Sequence, residues 1–287
     1  MNHYKNIIAC LMSSVILITA STSFSQNAGA TLGSREYYRH DCSSSNNRSY
    51  TSYSLTFGSS TGSSRTIIGD NNMVRDYDTS IVRLSTGGTG FIIDEHTIAT
   101  AAHCVYGGGT FLDDLTIMIV DSNNAIVKTI SPTYIHVPYQ FTRSSSSSYD
   151  YALISVAEDL TGYGMFQLAV VRGNYISESG TVVVSGFPQE YPPGYLEADY
   201  GIRFQSSGSL SPEYTNDNYR IGYNADTAGG DSGGPVYVNE GITINGTLYE
   251  YKSVIGIHTS GTSGSYNSGV RITDDILKFY YDNNHII

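Results

Sequence analysis

The sequence predicts an all-β protein, and three observations carry that reading. From Ile67 onward, apolar or alternating runs of four to seven residues recur along the chain. Clusters of Gly, Asn, Asp and Ser separate them, as at Ser85–Gly90, Gly107–Thr110 and Asp121–Asn124. Helical periodicity is missing until the C-terminal end, so the regular helix–strand alternation of a parallel sheet is absent.

Taken in order, the strand candidates are Ser80–Leu84, Gly90–Ile93, Thr97–Ala102, Leu115–Val120 and Ala125–Ile130, then Tyr151–Val156 and Gly180–Gly186. Gly201–Ser206, Pro235–Val238 and Ser253–His258 follow. Many short strands punctuated this way belong to sandwiches or barrels. Ser144–Ser148 reads as an exposed loop. One helix is expected at about 273–283: Thr273 or Asp274 caps it, Asp275 sits in the first turn, and Ile276, Leu277, Phe279 and Tyr280 form its apolar face.

The N-terminal part is of another kind. Lys5 precedes the apolar run Ile7–Ala20, and Ser23-Phe24-Ser25 supplies small residues for a cleavage site. Residues 1–25 therefore read as a secretory signal peptide, which places the product outside the cytoplasm, extracellular or periplasmic. Residues 26–66 are polar and Ser-rich and read as a propeptide, with one weak strand candidate at Tyr50–Phe57. Charge changes sign at the same boundary. Residues 1–66 hold 5 basic and 2 acidic groups, and residues 67–287 hold 10 basic and 24 acidic groups.

With 287 residues the chain can bury a sizeable core in one or two domains. Charged residues make up 14%, too few for a coiled coil or a highly charged disordered chain. The net charge of -11 excludes the basic footprint of a nucleic-acid binder. No further segment is long and apolar enough to span a membrane, so no membrane association is expected once the signal is removed.

Three segments carry chemistry. Thr100-Ala101-Ala102-His103-Cys104 follows an apolar strand, Asp150 directly precedes another, and Gly230-Asp231-Ser232-Gly233-Gly234-Pro235 sets a Ser among glycines. A Ser hydroxyl is a weak nucleophile until an adjacent base takes its proton. His103 can serve as that base and later as the acid for the leaving amine, with Asp150 holding the imidazole tautomer. Gly230 and Ser232 can turn their N–H groups toward a developing oxyanion.

These motifs, in the order His, Asp, Ser, resemble the chymotrypsin-like (trypsin-like) serine proteases over about residues 67–283. The resemblance implies residues 67–287 as a protease domain of two six-stranded antiparallel β-barrels, about 67–165 and 166–270. It implies no cofactor and no metal, with protein or peptide as substrate and a monomer as the working form. It also implies a catalytic set of His103, Asp150 and Ser232, with an oxyanion hole at Gly230 and Ser232. A protease fold reused as a non-catalytic binding protein is the contrasting class.

Two readings of specificity stand side by side. Asp226 lies six residues before Ser232, where trypsin-like enzymes carry the acid that selects Arg or Lys. Thr227 together with Gly256-Ile257-His258-Thr259-Ser260-Gly261 and Ser265–Arg271 resembles the bacterial, staphylococcal-type glutamyl endopeptidases. That resemblance implies that Thr227 and His258 bind a substrate glutamate, while the backbone at Thr259–Gly261 pairs with the peptide. The Glu reading is the expectation, with Arg/Lys as the alternative.

Cys104 has a cysteine partner on the preceding strand in this family, and the resemblance places Thr89 at the partner position. Ile67-Ile68-Gly69-Asp70 resembles the start of a mature enzyme, so activation by cleavage near Arg65–Ile67 is expected, with the new amino group pairing to Asp231.

Overall fold

The computed structural model describes residues 37–41, 73–170, 181–189, 201–211, 218–244, 247–261 and 266–283. The expected signal peptide, the Tyr50–Phe57 strand and Ile67–Asp70 lie outside them.

The first sheet draws on β1 (Tyr37–Asp41), β3 (Ile81–Leu84), β4 (Thr89–Asp94) and β5 (Thr97–Thr100), with β2 (Val74–Arg75) preceding β3 in the chain. A two-stranded flap, β6 (Tyr106–Gly107) and β7 (Thr110–Phe111), comes next. Then follow β8 (Ile117–Val120), β9 (Ile126–Ile130), β10 (Tyr134–Pro138), the short helix α1 (Tyr139–Ser144) and β11 (Ala152–Ser155). The sheet order is β1-β10-β11-β5-β4-β3-β8-β9. Only Ser131-Pro132-Thr133 separates β9 at one end from β10 near the other. Pro132 interrupts what is otherwise one strand, and its two halves bring the ends of the sheet together as a six-stranded barrel.

The second half contains β12 (Gln167–Leu168), β13 (Thr181–Gly186), β14 (Phe204–Ser209) and β15 (Arg220–Tyr223). The long hairpin β16 (Pro235–Ile244) and β17 (Thr247–Gly261) leads to β18 (Asn267–Arg271) and the helix α2 (Asp274–Asn283). Its order is β15-β18-β17-β16-β13-β14, with β2 added beside β14 and β12 beside β17. A bridge from Leu210 to Tyr223 joins the β14 end to β15 and closes this barrel too. The expected architecture of two six-stranded barrels and a C-terminal helix is the one the structure has.

Burial follows the two-residue period of the strands. Val182 and Val184 point into the second barrel with Ile221, Tyr223 and Val236. Val183 points the other way, into a core shared with the first barrel. Phe166 bridges the barrels, with its ring 5.6 Å from Phe91 and 5.3 Å from Tyr237. The C-terminal helix starts as expected: the Ile276 N–H donates to Thr273 Oγ1 at 3.3 Å. Its Phe279 packs edge-on against Tyr151 at 5.1 Å, the residue after Asp150.

Besides two-residue strands, four strands escaped the sequence reading: β1, β10, β15 and β18. β10 ends in Pro138, and β15 and β18 bury Arg220, Asn267, Ser268 and Arg271, which breaks the apolar signature. Tyr37–Asp41 was read as part of a removable, core-free segment, yet it pairs in register with β10.

The Cys104 expectation is corrected by one residue. A Cβ built on Gly88 would meet Cys104 Sγ at 2.6 Å, so Gly88, not Thr89, faces the buried thiol. Side chains alternate along a strand, and the Thr89 side chain is turned instead toward the Gly230 segment.

Candidate active site

The first barrel brings His103 and Asp150 together by strand pairing. β5 and β11 run antiparallel with Thr100 opposite Ala152. His103, three residues past the end of β5, and Asp150, two before the start of β11, therefore meet, although 47 positions separate them. His103 lies on a 3-10 turn, Ala102–Cys104. Its Nδ1 is 2.7 Å from Asp150 Oδ2, and its own N–H donates to Asp150 Oδ1 at 2.9 Å. Both carboxylate oxygens are thus used to fix one residue. This contact assigns the Nδ1 proton and leaves Nε2 to act as a base. Asp150 is buried, whereas a third of the His103 side chain is exposed. Burial disfavours the imidazolium, but the interactions with Cys104 and with the Asp150 carboxylate outweigh it and hold the His103 pKa well above 6.5.

The second barrel supplies the Ser232 turn, and the first barrel pins it. The Thr89 N–H donates to Ser232 O at 2.8 Å, and Thr89 Oγ1 donates to Gly230 O at 2.8 Å. The Cys104 thiol adds a contact to Ser232 O at 3.3 Å. On the other side the Gly233 N–H donates to His258 O at 2.7 Å, and the His258 N–H donates to Gly234 O at 2.9 Å. Two glycines are obligatory here. Gly230 has φ +102, and a Cβ would lie 2.3 Å from Phe187 O. Gly233 has φ +89, and a Cβ would lie 2.1 Å from Thr89 O. Among the described residues neither the Gly230 nor the Ser232 N–H has a protein partner, which leaves both available to an oxyanion.

The residues expected on the substrate side lie in the second half of the chain. His258, Thr259, Asp226 and Thr227 are all buried. Gly261 stands at the exposed end of β17, beyond a register shift between His258 and Ser260 that re-aims the strand. His258 Nδ1 is 2.6 Å from Tyr223 Oη. Burial, then the His103 and Arg220 charges, pull the His258 pKa down to about 3, so its ring is neutral. Sequence reasoning missed Tyr223 and Arg220. The Arg220 guanidinium donates to Ser147 O at 2.9 Å, Thr259 Oγ1 at 3.0 Å and Ser260 Oγ at 3.0 Å, tying the strand that carries His258 to the loop before Asp150. It also donates to Ser268 Oγ at 2.5 Å. Neither residue stands in a motif; only a buried arginine between apolar neighbours could have signalled it.

The family model described as Trypsin matches residues 67–274, more than half of the chain. The chain belongs to the trypsin family. Its activity class is that of a serine endopeptidase. Among curated proteins it is 28% identical over 228 residues to a glutamyl endopeptidase of Bacillus licheniformis, covering 74% of this chain and 67% of that one. It is 30% identical over 197 residues to a Bacillus subtilis protein named extracellular metalloprotease, covering 67% of this chain and only 56% of that one. Among the described residues no group of three or more His, Cys, Asp or Glu is arranged to hold a metal. Of solved structures, one of a Glu endopeptidase in complex with MPD superposes with a TM-score of 0.61 at 22% identity, covering 77% of this chain and all of that one. The protease Anisep of Arthrobacter nicotinovorans gives 0.54 at 17%, covering 73% and 97%. At these identities the superpositions speak for the shared fold.

The His103–Asp150 contact makes a direct prediction. In an NMR titration the His103 ring titrates above pH 6.5, and Asp150→Asn lowers that midpoint. An unchanged midpoint in the variant would show that Asp150 does not set the imidazole's charge.

Proposed function

We propose that this protein is a secreted serine endopeptidase that cleaves after glutamate, using Ser232 as nucleophile, His103 as base and Asp150 as its orienting acid. The Gly230 and Ser232 N–H groups form the oxyanion hole; loss of one such donor typically slows turnover by about a hundredfold or more. Peptide is bound along β17 at Thr259–Gly261 as an added strand.

One observation carries the glutamate preference. His258 is hydrogen-bonded through its main chain to both Gly233 and Gly234, which holds this residue beside the nucleophile turn, and its ring is held by Tyr223 Oη. The relative named glutamyl endopeptidase supports the same reading. Because the ring is neutral, it recognises a carboxylate by hydrogen bonding, and the nearby Arg220 contributes positive potential. Thr227 is the second ligand. Asp226, buried six residues before Ser232, is the feature that would instead favour Arg or Lys.

Peptides with Glu before the scissile bond should be cut with higher kcat/KM than matched Arg peptides. His258→Ala should lower kcat/KM on the Glu peptide at least tenfold more than on a neutral-residue peptide. Equal losses would make His258 a packing residue, and a preference for Arg would make Asp226 the determinant.

Activation is proposed to follow cleavage near Arg65–Ile67, after removal of residues 1–25. Asp231 is fully enclosed. Its Oδ2 accepts the Ala228 N–H at 2.8 Å, while Oδ1 has no hydrogen-bond partner among the described residues. Burial raises its pKa to about 7. A released amino group near Ile67 would supply the missing cation and hold the Gly230 turn.

The sign of the pH effect follows. An acid whose folded pKa lies above its unfolded value costs stability progressively as pH rises from about 4 to about 7. The uncleaved chain should therefore lose stability over that window, and Asp231→Asn should abolish that loss. The processed form, with Asp231 paired, should not show it. Denaturant melts at pH 4, 5.5 and 7 check this; identical pH profiles for both forms would remove the ion pair from the account.

A further inference from the structure

The strand β1 lies upstream of the family-matched region, yet it pairs with the protease domain. Its five residues run antiparallel to β10, with Tyr37 opposite Pro138, Arg39 opposite His136 and Asp41 opposite Tyr134. The other side of β10 is taken by β11. Without β1, β10 would present an open edge, and its residues are poor ones to leave there: Ile135 and Val137 are apolar and buried, and no Lys, Asp or Glu guards the strand. Natural sheets cover or charge such edges, because unpaired N–H and C=O groups beside apolar side chains recruit other chains.

We propose that the outer edge of β10 is the docking surface for the segment Tyr37–Asp41, and that this strand remains bound noncovalently after the tether behind it is cut. This rests on the activation cut proposed above only for its timing. The sequence is arranged for such a device: a strand, then 24 residues (42–65) rich in Ser, then the expected cleavage point. Charge favours retention. Residues 26–66 carry four Arg against Glu36 and Asp41, whereas residues 67–287 hold 24 acidic and 10 basic groups. The docked strand also supports the site, since β10 pairs with β11, whose first residue lies two positions after Asp150. The N-terminal segment then acts as a subunit that adds a strand beside the first barrel.

The test places a site for a sequence-specific protease within residues 58–64 of the full chain, so that the outcome does not depend on where the natural cut falls. After cleavage, size exclusion with mass spectrometry should find the N-terminal fragment co-eluting one-to-one with the protease domain at micromolar concentration, and separating in high salt. Amides of Ile135–Val137 should stay protected from hydrogen exchange. Alternate amides of an edge strand face its partner, so Tyr38→Pro with Arg39→Pro must remove at least one ladder bond. That double variant should release the fragment and raise exchange at least tenfold at those amides of Ile135–Val137 that face β1, with those that face β11 and the other strands unaffected. Immediate separation of the parent fragment at low salt overturns the proposal, as does a fragment-free dimer joined through β10. If the fragment stays bound while the natural enzyme begins at residue 26, the docking stands and the maturation reading falls.

Discussion

Thr89 is the point on which the two barrels depend for a working site. Its N–H and hydroxyl hold Ser232 O and Gly230 O. The same hydroxyl accepts the Phe187 N–H at 3.0 Å, and its carbonyl accepts Thr100 Oγ1 at 2.7 Å. A fully buried residue on the first barrel thus fixes two segments of the second, the Gly230–Ser232 turn and Phe187, and is itself tied to Thr100, three residues before His103. A buried polar group is costly when unpaired and rigidifying when every valence is used. Here the valences are used, and the nucleophile turn inherits the rigidity of β4.

The same logic, buried polar groups fully engaged, organises the substrate side. Arg220 ties the loop before Asp150 to the strand that carries His258 and Thr259, and Tyr223 orients the imidazole. Asp231 is less fully engaged, a buried carboxyl whose Oδ1 has no hydrogen-bond partner among the described residues and whose pKa is raised to about 7. An incompletely satisfied acid next to Ser232 is where an incoming cation has most effect, and on the proposed activation this is why latency and catalysis would converge on one turn.

The motif residues were legible in the sequence because their chemistry demands those residue types: a Ser among glycines, a His after an apolar strand, an Asp before one. Strand alternation with turn clusters carried the all-β reading. What stayed hidden depends on which way a strand faces and on what its partners are. Gly88 and Thr89 differ by one position, and only pairing geometry decides which meets Cys104. β15 and β18 were invisible because Arg220 and Asn267 are buried against the usual rule, each made tolerable by hydrogen bonds that no linear pattern shows. β1 was hidden by the polar composition around it, which says nothing of an edge waiting on β10.

The most direct test of the account is the rate at which a fluorophosphonate labels Ser232 in Thr89→Val, with Thr89→Ser as control. Valine keeps the shape and removes the hydroxyl, leaving Gly230 O and the Phe187 N–H unpaired, a penalty on the order of 1–3 kcal/mol. The account predicts labelling at least tenfold slower in Thr89→Val, near-parent labelling in Thr89→Ser, and a cooperative melt for both. Parent-like labelling of a folded Thr89→Val protein would contradict it.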